Sequence, residues 1–313
     1  MLNRLFANSI LAVLMAAALV GSVTAQNNKR PMGGPPLLWE KVNVGRQDLY
    51  FGPGGRQNQP DLSRVTLIKE ETGGHSKKYR IKDGSGNVWV AKLGDEAQSE
   101  TASVRLLSAL GFQTEINYLV PRLTIEGKGT FSNARLEARP EWIDRGKEWK
   151  WGSTPFENTR QMRGLMLMMA FINNWDMKSA NNVILKTGGR DHYAISDLGV
   201  SFGKTGSNGL PLFWRIGRSR NNPEDFANSR FIKDAKSGRV KVVFNGKNRS
   251  RMKSFTTADA RWLADLLNQL SDAQIRDAFR AANYSQRNIN LLTQAVKSRI
   301  RELDRAAYDR RVS

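Results

Sequence analysis

The sequence contains no cysteine and only two histidines, His75 and His192. The absence of cysteine excludes disulfides, a thiol nucleophile, a cysteine-ligated zinc site and the acylated cysteine of a lipoprotein. Two isolated histidines offer little material for a histidine-rich metal site or a serine hydrolase triad. The fold must therefore be stabilised by packing, and any chemistry must come from carboxylates, amides, hydroxyls and cations.

Long apolar runs are also scarce, and the one notable run, from Ile10 to Val20, lies near the amino end. Arg4 precedes this run, and the small residues Val23 to Ala25 follow it. A charged start, a short apolar region and a small-residue cleavage site are typical of a secretory signal peptide, whereas a membrane anchor needs a longer span. We therefore expect residues 1–25 to be a cleaved signal peptide, and the mature protein to be soluble and either periplasmic or secreted.

The charge of the chain is strongly one-sided. Lysine and arginine number 49 against 29 aspartates and glutamates, which gives a formal net charge of +20. Such a charge favours anionic partners, for example an anionic polymer or another envelope component. The charge is not confined to one tract, although Arg215 to Arg220 (RIGRSR) is a local peak. Plain solvation of a basic exported protein is the alternative explanation.

The hydrophobic pattern divides the chain after residue 25 into three parts. Residues 26–62 are rich in glycine and proline and predict an extended arm with one short strand at 48–51. Residues 63–140 predict a β lobe that opens with a meander of three strands, at 65–70, 78–82 and 88–93. A helix follows, with Asp95 and Gln98 as a capping box and Gly111 as its stop. Strand patterns return at 114–120, 122–126 and 134–138.

Residues 141–313 predict a larger, mainly helical lobe. The segment 142–151 carries three tryptophans and is interpreted as a linker helix, and 159–175 predicts an apolar helix. Prolines and glycines predict an irregular region from 204 to 254. Three helices are expected to begin near Thr257, Ser271 and Ser285, the second with a capping box from Ser271 to Gln274.

The most informative segment is short, polar and rich in turns, and it runs from Asn173 to Gly203. It brings carboxylate, amide and ammonium groups close together between two apolar runs. Carboxylate and amide oxygens suit Mg²⁺, and a lysine suits a phosphate. The segment therefore predicts a metal-phosphate site in which Asp176 is a base, Lys178 faces a phosphate, and Asp197 holds the metal with Asn181 or Asn182.

Five features, one of them a glycine pair, occur in the order in which protein kinases carry them, and they resemble those of that family. Asp176 to Asn181 (DMKSAN) has the D-x-K-x-x-N spacing of the catalytic loop, and Asp197 to Gly199 (DLG) looks like the metal-binding turn. Val90 to Lys92 (VAK) ends the third strand like the kinase strand lysine, and Glu100 on the following helix looks like its ion-pair partner. The chain therefore resembles the protein-kinase-like superfamily, in the style of atypical, secreted bacterial members.

This resemblance implies an α+β, bilobal fold with a small antiparallel β lobe containing one helix and a larger, mainly helical lobe. It implies ATP and Mg²⁺ as cofactors, with Lys92 on the phosphates and Glu100 orienting it. Because the interval from Lys92 is short, Glu96 is the alternative partner. The pair Gly73 and Gly74 stands where kinases have their glycine-rich phosphate cover, and the hydroxyl of Ser76 adds a donor.

The resemblance also implies a phosphotransferase. Asp176 would accept the proton of an acceptor hydroxyl on a protein, glycan or lipid, Lys178 would stabilise the transferring group, and Asn181 with Asp197 would hold Mg²⁺. The alternative is a non-catalytic kinase-like protein that binds an anionic polymer or an envelope partner. Transfer of the nucleotide instead of the phosphate is a further possibility. Neither the acceptor nor the oligomeric state follows from the sequence.

Overall fold

The computed structural model describes residues 34–72, 76–206 and 217–308. The predicted signal peptide, Gly73 and Gly74 lie outside these residues. The strands are β1 (Pro36–Leu37), β2 (Thr66–Glu71), β3 (Lys78–Lys82), β4 (Val88–Lys92), β5 (Asn117–Ile125), β6 (Gly129–Ala138), β7 (Asp144–Arg145), β8 (Asn182–Thr187), β9 (Arg190–Ile195), β10 (Ile232–Lys236), β11 (Arg239–Val242) and β12 (Phe255–Thr256). The helices are α1 (Glu96–Ala109), α2 (Arg160–Phe171), α3 (Pro223–Asn228), α4 (Thr257–Leu267), α5 (Asp272–Ala281) and α6 (Gln286–Tyr308).

Five antiparallel strands form the sheet of the first lobe, in the order β2-β3-β4-β6-β5. The predicted meander is confirmed, because β2, β3 and β4 pair in sequence. The two later strand patterns at 114–126 form one continuous strand, β5, which passes through Pro121. One face of this sheet is apolar and forms the core of the first lobe, in which Tyr79, Ile81 and Leu136 are buried.

Helix α1 is the one described helix of this lobe, and it is buried on several sides. Its predicted capping box is wrong, since Asp95 has helical backbone angles and its side chain makes no cap hydrogen bond. Gln98 instead donates to the carbonyls of Ala282 and Asn283, at 3.1 and 2.8 Å, beyond the end of α5. Tertiary contacts across the two lobes thus replace the local cap. Gly111 follows the helix with a φ of 91°, as predicted for its stop.

Helices α2, α4 and α6 form the core of the second lobe with a β8–β9 hairpin beside them. The predicted linker helix at 142–151 is wrong: the segment contains the short strand β7, and Trp149 and Trp151 are buried with ring centroids 5.0 Å apart. The region after Gly203 is also more regular than expected, because α3 and the β10–β11 hairpin lie within it. The capping box of α5 is confirmed, with Ser271 and Gln274 exchanging hydrogen bonds.

The described part of the arm, 34–62, packs against the rest of the chain. Trp39 meets Trp262 edge to face at 5.2 Å, and Gln274 donates to two arm carbonyls, those of Val44 and Gln47. The expected strand at 48–51 is replaced by turns and short 3-10 segments. Among the described residues, no helix is long and apolar enough to span a membrane.

Gly164 in α2 offers a stability prediction, because a Cβ at this position would lie 2.2 Å from Cζ3 of Trp262. Trp262 cannot swing away without losing its edge contacts to Trp39 and Phe112. Overpacking of a filled core costs about 1–3 kcal/mol, whereas alanine gains only about 1 kcal/mol of helix propensity over glycine. We expect Gly164→Ala to lower the free energy of unfolding in urea titrations. The loss should shrink in a Trp262→Leu background, and a more stable Gly164→Ala would contradict this packing.

Candidate active site

Lys92 is the centre of the site. It is the last residue of β4, and its side chain is only 2% exposed. Its Nζ lies 2.8 Å from Oε2 of Glu96, 3.0 Å from Oε2 of Glu100 and 3.2 Å from Oδ1 of Asp197. One buried cation therefore joins a strand and a helix of the first lobe to the DLG turn of the second.

Both candidate partners on α1 contact the lysine, so the structure does not force a choice between them. Glu100 is fully buried, and its second oxygen lies 3.0 Å from Nη1 of Arg135 on β6. Glu96, one turn earlier, accepts from Oγ of Ser76 at 3.2 Å and pairs with Arg220 at 3.0 Å. Glu100 thus anchors the lysine from inside, while Glu96 lines the cleft.

The charges in this cluster shift one another's pKa. Burial alone would lower the pKa of Lys92, but the carboxylates of Glu100 and Asp197 outweigh it and raise that pKa. Burial raises the pKa of Glu100 to about 7, against the opposing effect of Arg135 and Lys92. Burial also acts to raise the pKa of Asp197, yet Lys92 and the Gly199 N–H hold it below its ordinary value. At neutral pH the lysine is charged and Asp197 is an anion.

The catalytic-loop motif follows α2 and places Asp176 beside Asn181. The side-chain amide of Asn181 donates to the backbone oxygen of Asp176 at 2.7 Å and to its Oδ2 at 3.3 Å. The backbone oxygen of Asn181 accepts from the N–H of Asp197 at 3.2 Å. Asn182 points elsewhere and donates to the Trp149 carbonyl at 3.0 Å. Of the two asparagines, Asn181 therefore lies next to both aspartates.

Two lysines flank the carboxylate of Asp176. Lys178 Nζ lies 2.8 Å from Oδ2, and Lys247 Nζ lies 3.5 Å from Oδ1. The backbone N–H of Lys247 donates to the Trp175 carbonyl at 2.9 Å, which ties this later segment to the catalytic-loop motif. Sequence reasoning missed Lys247, because no spacing rule connects it with a loop about 70 residues earlier.

No protein-family model matches the chain, and no curated protein matches it in sequence. Several solved structures resemble it, among them two kinases. A Helicobacter pylori proinflammatory kinase, CtkA, has a TM-score of 0.48 and 11% identity, covering 80% of this chain and 96% of that protein. The Golgi casein kinase has a TM-score of 0.30 and 9% identity, covering 77% of this chain and 74% of that one. At such low similarity, the assignment of the fold depends on the geometry of this chain.

That geometry is a strand lysine bound to a helix glutamate beneath an antiparallel sheet, facing a DLG aspartate from a helical lobe. The chain has a protein-kinase-like fold. Its α+β, two-lobed architecture agrees with the fold class expected from the sequence. Asp176 and Lys178 of the catalytic-loop motif line the same cleft as Asp197, and Asn181 is tied to Asp197 through its backbone oxygen.

The kinase-like cleft contains a cavity of about 640 Å³. Ser76, Lys92, Asp176, Lys178 and Asp197 line it. These are five of the predicted site residues. Glu100 and Asn181 do not line this cavity, and Gly73 and Gly74 lie outside the described residues. Further cations line it that the sequence did not assign to a site: Lys78, Arg218, Arg220 and Lys247. Arg218 and Arg220 belong to the basic RIGRSR peak, which was the one available signal.

The oxygens beside Asp197 suit a hard divalent cation. Oδ1 of Asp197 is engaged by Lys92 and by the Gly199 N–H at 3.1 Å, and no described residue donates to Oδ2. The side-chain nitrogen of Asn181 donates to Asp176, and no residue in the described part of the chain donates to its side-chain oxygen Oδ1. This oxygen is therefore available as a metal ligand. In the described ranges no three acidic or histidine side chains cluster as a complete metal site. These donors fit Mg²⁺, which commonly takes one or two protein oxygens and completes its shell with phosphate and water.

Proposed function

We propose that this chain is an exported phosphotransferase that uses ATP and Mg²⁺ and transfers a phosphoryl group to a hydroxyl of a protein, glycan or lipid. The observation that carries the proposal is the contact of Lys92 with both Glu100 and Asp197 in a cleft that also contains Asp176. A buried lysine among three acids is costly as a purely structural device but suits binding of a triphosphate. The proposed export follows from the signal-peptide pattern of residues 1–25.

Each residue has a separate task in this proposal. Lys92 binds donor phosphate oxygens, and Asp197 with Asn181 holds Mg²⁺, which neutralises the charge of those phosphates. Asp176 orients the acceptor hydroxyl and takes its proton, while Lys178 faces the transferring group. The phosphate cover is assigned to Gly73 and Gly74 with the hydroxyl of Ser76.

Binding of Mg-ATP gives the direct test. We expect Mg-ATP to raise the melting temperature of the protein, because a ligand that binds only the folded state stabilises it. Asp197→Ala should remove this rise, and Asp234→Ala, at a half-buried aspartate of β10 that does not line the cleft, should keep it. Incubation with γ-labelled ATP should label an added acceptor or the protein itself. The absence of a thermal shift in the wild type would refute nucleotide binding. Labelling of the acceptor by α-labelled ATP but not by γ-labelled ATP would indicate transfer of the nucleotide.

A second function is favoured by the cations at the cleft. Lys78, Lys178, Arg218, Arg220 and Lys247 line the main cavity in addition to Lys92. A non-catalytic protein that binds an anionic polymer or envelope partner would use the same groups. Its affinity would fall steeply with salt concentration, and no label would be transferred.

A further inference from the structure

A second compartment of about 300 Å³ opens on the other side of Lys92, beneath the sheet. It shares Lys78, Lys92 and Asp197 with the main cavity, so the two spaces flank the same lysine. Among the described residues that line this compartment, Val90 and Ala180 are the apolar ones. A ligand held by Lys92 that extends away from Asp176 would enter a strongly charged space.

The strand register explains why this space is charged. Side chains that stand opposite each other on paired strands share a face of the sheet, and so do alternate residues along a strand. Lys78 is opposite Lys92, and Lys92 is opposite Arg135. One step further along, Arg80 is opposite Val90, which is opposite Glu137. The cleft-facing surface of β3, β4 and β6 therefore carries charges at every one of these positions except Val90.

Two arginines of the compartment keep contact with solvent. The side chain of Arg80 is 38% exposed, and its Nε binds Glu71 at 2.9 Å. No described residue accepts a hydrogen bond from its terminal nitrogens. The side chain of Arg145 is also 38% exposed, and it pairs with Glu115 and donates to Oγ of Ser196 at 2.9 Å. Four carboxylates also line the compartment, and the ion pair of Glu137 with Arg139 is one of several between them and the cations. Six basic side chains stand against these four acidic ones, so the described lining keeps an excess of positive charge: Lys78, Arg80, Lys92, Arg135, Arg139 and Arg145 against Glu71, Glu100, Glu137 and Asp197.

These groups disfavour an uncharged ring and favour anionic oxygens. A flat base would find only Val90 and Ala180 as apolar contacts in this compartment, whereas pockets that enclose a ring are lined mainly by apolar and aromatic side chains. A phosphate oxygen would supply charge-assisted bonds, which are about twice as strong as neutral ones. Arginine also binds phosphate in a bidentate manner.

We propose that this cleft recognises an oligophosphate chain and not a nucleoside base, so that inorganic tripolyphosphate and longer linear polyphosphates serve as phosphoryl donors alongside ATP. This inference rests on the proposed phosphotransferase function. In the reaction, the acceptor oxygen forms a bond to the terminal phosphorus as the bridging P–O bond breaks. Pyrophosphate leaves from tripolyphosphate with the bonding electrons, and the hydroxyl proton passes to Asp176. The far end of a longer chain lies against Arg80 and Arg145.

Calorimetric titration of the full chain with the magnesium complexes of ATP, tripolyphosphate and a longer polyphosphate tests the proposal. We expect tripolyphosphate to bind within about threefold of ATP, since the base adds little free energy. Arg80→Gln should weaken the longer polyphosphate about tenfold, the value of one charge-assisted hydrogen bond, and leave ATP nearly unchanged. The matched control is Arg64→Gln, because Arg64 is an exposed arginine of the same lobe, paired with Glu126. Unchanged melting temperatures would show that both variants fold.

The possible results separate this inference from the proposed function. If ATP binds and transfers phosphate but tripolyphosphate binds more than about tenfold more weakly, the base matters and the inference is wrong, while the phosphotransferase stands. If Arg80→Gln and Arg64→Gln weaken polyphosphate equally, the effect is general charge and the compartment has no role. If polyphosphate binds but labelled chains transfer nothing, the donor assignment is wrong. If neither ATP nor tripolyphosphate binds, both proposals fail together.

Discussion

Asp176→Asn is expected to abolish measurable phosphoryl transfer while leaving binding of the Mg-bound donor nearly unchanged. Asparagine keeps the size of the side chain but cannot accept a proton, and general-base catalysis contributes about 10²- to 10⁴-fold to a rate. The described cations that pair with this carboxylate are Lys178 and Lys247, whereas Lys92 and Asp197, which the proposal assigns to the donor, pair with each other. The measurement is the rate of label transfer from γ-labelled donor together with a binding titration on the same preparation.

Two further variants complete this comparison. Asp197→Asn should lose both donor binding and transfer, because it removes the carboxylate assigned to the metal. Asp234→Asn should change neither, since Asp234 lies on β10 in a loose 3.9 Å pair with Lys236. Transfer by Asp176→Asn at more than about a tenth of the wild-type rate would rule out Asp176 as the base.

The parts of the site that the sequence predicted depend on local signals. Lys92 ends a short apolar run that follows a glycine turn, and Asp176 and Asp197 belong to short motifs with fixed spacing. The choice between Asn181 and Asn182 could not be made from spacing, because it depends on which residue begins β8 and points toward Trp149.

The parts that the sequence did not predict depend on contacts between distant segments. Lys247 reaches Asp176 through a backbone bond to Trp175, and Arg220 reaches Glu96 from the opposite lobe. The sequence contains the charged residues of the compartment, but it does not show that they share one face of the sheet. That face follows from the register that sets Arg80 opposite Val90 and Val90 opposite Glu137.

Local rules failed where the two lobes meet. Gln98 follows Asp95 at capping-box spacing, yet its side chain binds carbonyls beyond α5, so a tertiary contact takes the place of a cap that is usually worth about 1 kcal/mol. The three tryptophans of 142–151 were interpreted as part of a linker helix. Trp149 and Trp151 are indeed buried, but the backbone that carries them is not helical. In both cases the sequence pattern identified residues that pack, and long-range packing decided the backbone.

Lys92→Met is expected to destabilise the protein by about 3–5 kcal/mol, the usual cost of removing one partner from a buried ion pair. Met occupies a similar volume but leaves Glu100 and Asp197 without their shared cation. The cost should depend on pH. Lys92 lowers the pKa of Glu100, which burial otherwise raises, so the pKa of Glu100 in the variant should lie above the wild-type value of about 7.

The sign follows from proton linkage. Glu100 has a folded-state pKa above its unfolded value of 4.5, so between that value and about 7 the unfolded chain has lost the proton while the folded protein retains it, and stability falls as pH rises. In this range both proteins keep the proton on Glu100 and lose stability in parallel. Above about pH 7 the wild type levels off, whereas the variant keeps its proton and continues to lose stability. Urea unfolding should therefore give a larger cost at about pH 8.5 than at about pH 6.

Lys82→Met is the matched control, because Lys82 is an exposed lysine at the end of β3 in the same sheet. Surface substitutions usually change stability by less than about 0.5 kcal/mol, and this one should show no difference between the two pH values. A small cost of Lys92→Met, equal at both pH values, would mean that the lysine does not share its charge with Glu100. The buried cation would then be a poor basis for a donor site, because the same contact is what positions Nζ toward Asp197.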